Sequence, residues 1–258
     1  ASTYKVAIAT TVLDRVDRGE LSLDQLVDVP QDMYVAGTVA IAERFPYSGV
    51  QFSLANLIYA MITESDNTAT DVCLELAGGP AAVTENLRRL GIKDFRVDRS
   101  VREILMDFYS LPAVNPEAIV EAISKNPALV PAQVDPNPNF EADPRDHTTP
   151  NAYLQLLLAI DGGTAMSPKS REFLLGVMSR TRTGAGRLKG LLPKGTPVAH
   201  KTGTLGGVAN DVGYITLPDG RQFAIAVFTN SSKTPASDRE RAIAEVARAL
   251  YDFYYLQS

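Results

Sequence analysis

The sequence predicts an α+β fold in which a helical cluster packs against an antiparallel sheet covered by a C-terminal helix. Three observations predict it. Apolar residues recur at helical spacing through the first three quarters of the chain, strand-like alternation is confined to the stretch from Val198 to Thr229, and Asp238 to Tyr255 reads as a last amphipathic helix. A length of 258 residues with 45% hydrophobic composition can bury a sizeable core. The expectation is one domain over residues 1–258, mainly helical over 1–190 and made of sheet plus helix over 191–258.

In chain order, Tyr4 to Val16 reads as a helix that stops at Gly19, with Ser2 as its predicted cap. Ser53 is expected to cap a second helix running through Thr63. Helices are also expected over 68–77, 80–90, 115–125, 149–160 and 168–180, several opened by Ser, Thr or Pro and closed by Gly or Asn. A β signal is expected only afterwards. Val198 to Thr204, Asp211 to Leu217 and Gln222 to Thr229 form the predicted strands, the last two joined through Pro218-Asp219-Gly220. Seven prolines between Ser110 and Pro144 predict irregular loop interrupted by one helix.

Composition excludes several function classes. The net charge is −5, with 30 acidic residues interspersed among 25 basic ones, and no basic stripe marks a nucleic-acid or membrane surface. Cys73 is the only cysteine, so an intrachain disulfide cannot form, and in the run Val72-Cys73-Leu74 it reads as a small core residue. Two histidines, His147 and His200, give no metal-ligand spacing, so neither a metal nor a cofactor is expected. No segment is long and apolar enough to span a bilayer, and no signal peptide is visible.

Three short motifs carry chemistry: Ser2-Thr3-Tyr4-Lys5, Ser65-Asp66-Asn67 and Lys201-Thr202-Gly203, in that order. S-x-x-K should arise about once by chance in such a chain, but a given tripeptide only ~0.03 times. The ordered trio is therefore informative. On a helix, Ser2 and Lys5 share a face, so the amine can lie beside the hydroxyl, and the helix N-terminus eases loss of the serine proton. Ser65 and Asn67 sit on a predicted turn, where a hydroxyl can relay a proton and a carboxamide can hold a substrate amide. Lys201 and Gly203 face one side of a predicted edge strand and Thr202 and Thr204 the other. Gly203 permits close approach of a ligand backbone, and the N–H groups of Thr204 and Ser2 can form an oxyanion hole.

This trio resembles the serine β-lactamase and penicillin-binding superfamily, and class A β-lactamases most closely. Thr183-Gly184-Ala185-Gly186-Arg187, Asn210-Asp211, Arg96-Val97-Asp98-Arg99 and Arg145-Asp146-His147-Thr148-Thr149-Pro150 extend the resemblance over nearly the whole chain except 101–144. It implies a β-lactamase-like domain that opens the lactam of penicillin-type antibiotics. Ser2 would be the nucleophile, Lys5 its proton acceptor, and Ser65 with Lys201 the proton relay to the leaving nitrogen. Asn67, Thr202, Gly203 and Thr204 would bind substrate, with Asp66 as a buttress. Arg187 would anchor the substrate carboxylate, since Ala209 stands where many class A enzymes carry their arginine. The resemblance also implies a monomeric, periplasmic or secreted protein whose first helix and first strands precede Ala1.

One departure bears on turnover. The class A pattern places a water-activating glutamate two residues after the arginine matching Arg99, and Val101 stands there. Glu103 and Glu141 are the candidates for a displaced base, on a loop lengthened to 46 residues between Arg99 and Asp146. Arg99 and Asp146 are expected to pair at the neck of that loop. Two alternatives follow: a D-alanyl-D-alanine peptidase or esterase acting on cell-wall peptide, and a penicillin sensor that stays acylated.

Overall fold

Helices α1 (Lys5–Asp17), α4 (Asn67–Ala77) and α5 (Gly79–Arg89) make the centre of the helical half. The fold is that of a computed structural model, which describes residues 1–37, 41–129 and 135–257. Around α1 and α4 pack α3 (Leu54–Tyr59), α6 (Val101–Tyr109) and α10 (Pro168–Met178), while α9 (Pro150–Asp161) packs on the last strand of the main sheet. The shorter α2 (Ile41–Arg44), α7 (Pro116–Lys125) and α8 (Pro138–Glu141) lie in the connections. Strands β3 (Val198–Leu205), β4 (Val208–Thr216) and β5 (Gln222–Phe228) form an antiparallel sheet in that order, and α11 (Ala236–Tyr255) packs on it. The predicted α+β class and the chain order of its halves are as expected.

Two cores explain the arrangement. The larger holds the apolar faces of α1, α3, α4 and α9 together with Val212 and Tyr214 from the inner face of β4. The smaller, between sheet and α11, contains Val198, Ile215, Ile225, Ile243 and Ala247. Alternation along β4 sends Val212 and Tyr214 to one side and Ile215 to the other, so a single strand serves both cores. Cys73 is fully buried and unpaired, as its apolar neighbours predict. Among the described residues no helix is long and apolar enough to cross a membrane.

Three expectations are corrected. Strands precede the sheet after all: β1 (Leu26–Asp28) pairs with β2 (Gln51–Ser53), but three-residue strands carry too little alternation to be read in sequence. Ser2 does not cap α1. It begins a 3-10 turn, Ser2–Tyr4, that leads directly into α1, and its side chain makes no capping bond. The long loop is more helical than expected, with α6 at its start and α8 near its end; residues 130–134 of it lie outside the described residues. The Ser53 cap forms as expected, its hydroxyl accepting from Asn56 N–H, and the helix it opens continues into a π-helical turn at Ala60–Glu64.

The neck of the long loop closes as predicted. Arg99 Nε donates to Asp146 at 2.6 Å, Nη1 donates to Asp107 at 2.7 Å, and the guanidinium lies 4.9 Å from the centre of the Phe140 ring. Arg99 is 3% exposed, so truncating it strands the Asp146 carboxylate in a dry setting. Arg99→Ala is therefore expected to destabilise the protein by about 3 kcal/mol, read as a lower denaturation midpoint. A loss under about 1 kcal/mol would place this network with ordinary surface pairs.

Candidate active site

Three elements meet at Ser65. The π-turn ends there, and Ser65 takes left-handed dihedrals (φ 61°, ψ 30°) that a non-glycine residue adopts at a cost. The surrounding bonds hold it. Asp66 follows as N-cap of α4, its carboxylate accepting from Ala69 N–H at 2.7 Å and from Ile41 N–H. Asp66 is thus engaged in scaffold, the buttress expected of it, and the turn presents the Ser65 hydroxyl and the Asn67 carboxamide together.

Two buried lysines converge on that hydroxyl. Lys201 Nζ donates to Ser65 Oγ at 2.9 Å and to Thr202 O at 2.8 Å. Lys5 Nζ lies 3.3 Å from the same oxygen and donates to Ser65 O at 2.7 Å and Asn67 Oδ1 at 2.9 Å. The sequence placed Lys5 beside Ser2, three residues on; the acceptors of its amine are on the Ser65–Asn67 turn. Burial pulls the Lys5 ammonium down to about 8, opposed by the carboxylates of Asp66 and Asp71. Burial, and next the charge of Lys5, push Lys201 well below the ordinary lysine range, while Asp211 opposes the shift. Two amines sharing one hydroxyl can hold or release a proton there.

The edge strand contributes backbone. Ala209 N–H donates to Thr229 Oγ1 at 2.9 Å and Ala209 O accepts from Thr229 N–H at 3.2 Å, so both groups of Ala209 face β5. Thr204, its register partner on β3, therefore turns its own N–H and C=O to the open edge. The carbonyls two and four residues back agree: Thr202 O accepts from Lys201 and His200 O from Thr181 Oγ1. Gly203 is tighter than expected. A Cβ there would lie 3.1 Å from Ser2 N and Thr3 N, so the glycine admits the turn that carries Ser2. That contact sets the Ser2 N–H beside the strand that carries the free Thr204 N–H, a pair of donors suited to an oxyanion.

Arg187 is 5% exposed and more engaged than the sequence suggests. It donates through Nε to Glu240 at 3.0 Å, through Nη1 to Gly203 O and Asn210 O, and through Nη2 to Thr204 Oγ1 at 2.6 Å. Four of its five N–H groups are thus engaged in scaffold, and one on Nη2 remains beside Thr204. Thr202 Oγ1 lies 2.6 Å from Thr183 Oγ1. Gly184 (φ 71°) makes that approach feasible, since a Cβ there would meet the Thr202 methyl at 2.4 Å. Lys5, Ser65, Asn67 and Lys201 are thus joined by hydrogen bonds, Arg187 bonds Gly203 and Thr204, and Gly203 packs against the turn that carries Ser2.

Val101 and the two glutamates fall differently. Val101 is buried at the start of α6, its N–H and that of Arg102 donating to Asp71 at 2.7 and 3.0 Å. Burial raises the Asp71 carboxyl to about 6. Glu103 accepts from Ser100 N–H at 2.8 Å and Ser100 Oγ at 3.0 Å, completing a capping box on α6. Glu141 accepts from Ser231 N–H at 3.0 Å and Oγ at 2.8 Å, tying the loop to the segment after β5. Sequence reasoning missed Asp71, Glu240 and Tyr153, whose hydroxyl donates to Thr3 O at 2.7 Å beneath the Ser2 turn. Asp71 alone had a signal, since it stands four residues after Asn67 on one helix face.

Known proteins share this architecture. The sequence profile of the β-lactamase enzyme family matches residues 1–254. β-Lactamase VEB-1 of Pseudomonas aeruginosa is 31% identical over 262 residues, spanning 98% of this chain and 77% of that protein. Extended-spectrum β-lactamase PER-1, from the same organism, is 33% identical over 260 residues, spanning 98% and 74%. The crystal structure of the extended-spectrum β-lactamase TLA-3 superposes with a TM-score of 0.79 at 30% identity, over 99% of this chain and 84% of that one. A class A β-lactamase from Bacteroides cellulosilyticus gives 0.79 at 28% identity, over 99% and 83%. The chain belongs to the β-lactamase enzyme family, with the class A fold.

Proposed function

We propose that this protein hydrolyses penicillin-type β-lactams through an acyl-enzyme on Ser2. The Ser65 hydroxyl held between Lys5 and Lys201 carries the reading. Ser2 Oγ gives its proton to neutral Lys5 and bonds the lactam carbonyl carbon, whose oxyanion is met by the N–H groups of Ser2 and Thr204. The carbonyl C–N bond then breaks, and the leaving nitrogen takes the Ser65 proton, which Lys201 replaces. Asn67 holds the substrate amide, while Thr202, Thr204 and the remaining Arg187 N–H hold its carboxylate. Gly203 keeps the strand close to the Ser2 turn. No metal or cofactor enters these steps, and the protein would act as a periplasmic or secreted monomer.

Water must then break the ester. With Glu103 and Glu141 engaged in scaffold bonds, Lys5 returns the Ser2 proton through the Ser65 hydroxyl to the Lys201 amine and, neutral again, is the base in this reading for deacylation as well as acylation. Glu103→Gln and Glu141→Gln are each expected to leave the decay of the adduct within about threefold of the unmodified rate. A trapped adduct in either variant would reassign the base to that residue. The buried Val101 side chain favours one secondary reading, in which decay is slow enough for the protein to act as a penicillin sensor.

Steady-state hydrolysis of a penicillin and a chromogenic cephalosporin, set beside release of D-alanine from a D-alanyl-D-alanine peptide, tests the proposal. Lactam turnover exceeding peptide turnover is expected. Peptide turnover without lactam turnover would make the protein a cell-wall peptidase.

A further inference from the structure

The guanidinium of Arg187 is buried beside the open end of β3, and most of what it touches is neutral. Gly203 O and Asn210 O accept from Nη1, and Thr204 Oγ1 accepts from Nη2. The carboxylate that meets it comes from Glu240 on α11, whose Oε1 accepts from Nε at 3.0 Å. The Glu240 side chain is 32% exposed and that of Arg187 only 6%, so the anion is partly solvated while the cation is not.

Gly186 gives that carboxylate its room. A Cβ at 186 would lie 3.0 Å from Glu240 Oε2 and 3.7 Å from the Glu240 Cβ, so the loop before β3 is shaped to let Glu240 reach the guanidinium. Two consequences follow for an anion arriving at Thr204, which is exposed and lies 2.6 Å from Nη2. Held at Nε from behind, the guanidinium plane keeps one orientation, and the remaining Nη2 hydrogen keeps one direction. The incoming anion is also attracted by Arg187 and repelled by Glu240, so two carboxylates share one cation.

We propose that Glu240 is a positioning residue that sets specificity at the Arg187 end of the site: it aims the guanidinium at Thr204 and lowers its pull on an anionic substrate group. This deepens the reading above and rests on it, since Arg187 must hold the substrate carboxylate. Glu240 acts through Arg187 and not by contact. Affinity for the carboxylate is thereby held below what the guanidinium alone would give, and position 240 adjusts it without change to the groups that open the lactam.

The test compares a penicillin with its methyl ester, which carries the same lactam and no anion. Steady-state hydrolysis is measured for the unmodified protein, Glu240→Gln and Glu240→Ala, with circular dichroism confirming each fold. Glutamine keeps an acceptor for Nε and removes the charge. Its kcat/KM for the acid is expected to rise about fivefold through KM, with kcat within about twofold and the ester unaffected. Alanine removes acceptor and charge together, so its KM for the acid is expected about threefold above that of the glutamine variant. An unchanged KM for the acid in Glu240→Gln, or a change equal for acid and ester, would make Glu240 a structural partner of Arg187 and overturn the proposal. An alanine variant as good as the glutamine one would overturn it as well. Failure of the underlying reading looks different and sinks both: the unmodified protein would itself use acid and ester alike, or hydrolyse neither.

Discussion

Ser2→Ala is expected to form no covalent adduct with any penicillin or cephalosporin while keeping its fold. In the proposed mechanism the alanine removes the attacking oxygen. Ser2 begins the 3-10 turn and its side chain caps nothing, so no structural bond is lost with the hydroxyl. Loss of the nucleophile from such a unit removes essentially all covalent catalysis, and what remains is non-covalent binding by Arg187, Thr202 and Asn67. The check is intact mass after incubation with excess lactam, beside an unchanged circular dichroism spectrum. A full adduct in the Ser2→Ala protein would move the nucleophile elsewhere.

Lys5→Met should be nearly as damaging, and its pH signature is more telling. A positioned base contributes roughly 10²–10⁴-fold, so acylation is expected to fall by about 10³. In the unmodified protein burial brings the Lys5 ammonium down to about 8, and the base must be neutral to accept the Ser2 proton. The sign follows: acylation rises with pH through about 8 as Lys5 gives up its proton. Methionine fills the same channel without an amine, so the rising limb should vanish with the rate. A Lys5→Met protein that acylates within about tenfold of the unmodified rate would leave Lys201 as the proton acceptor.

Much of this site was legible because its chemistry is written in short motifs. Spacing alone put Ser65 and Asn67 on a turn and Lys201 on an edge strand, and both placements hold. What escaped was set by tertiary contact. The 3-10 entry to α1 depends on Gly203 meeting the Ser2 turn across about 200 residues of sequence, which no local pattern encodes. That entry puts the cap position of α1 at Tyr4, so Ser2 caps nothing. The left-handed Ser65 follows a π-turn whose residues, Ala60 to Glu64, look like ordinary helix.

Helix α6 escaped for a different reason. Ser100 and Glu103 form a capping box, a pattern the sequence displays inside the stretch expected to be loop. The same box gives Glu103 a scaffold role, its Oε2 accepting from Ser100 N–H and Oγ. Glu141 could not have been judged from sequence, because its partner Ser231 lies 90 residues away.

Time-resolved intact mass of the unmodified protein mixed with a penicillin tests the central claim most directly. The account predicts that the protein gains the full mass of the lactam, that the added mass maps to the peptide carrying Ser2, and that it is lost as hydrolysed product accumulates. Hydrolysis with no added mass on Ser2 at any time, or added mass on another residue, would contradict it.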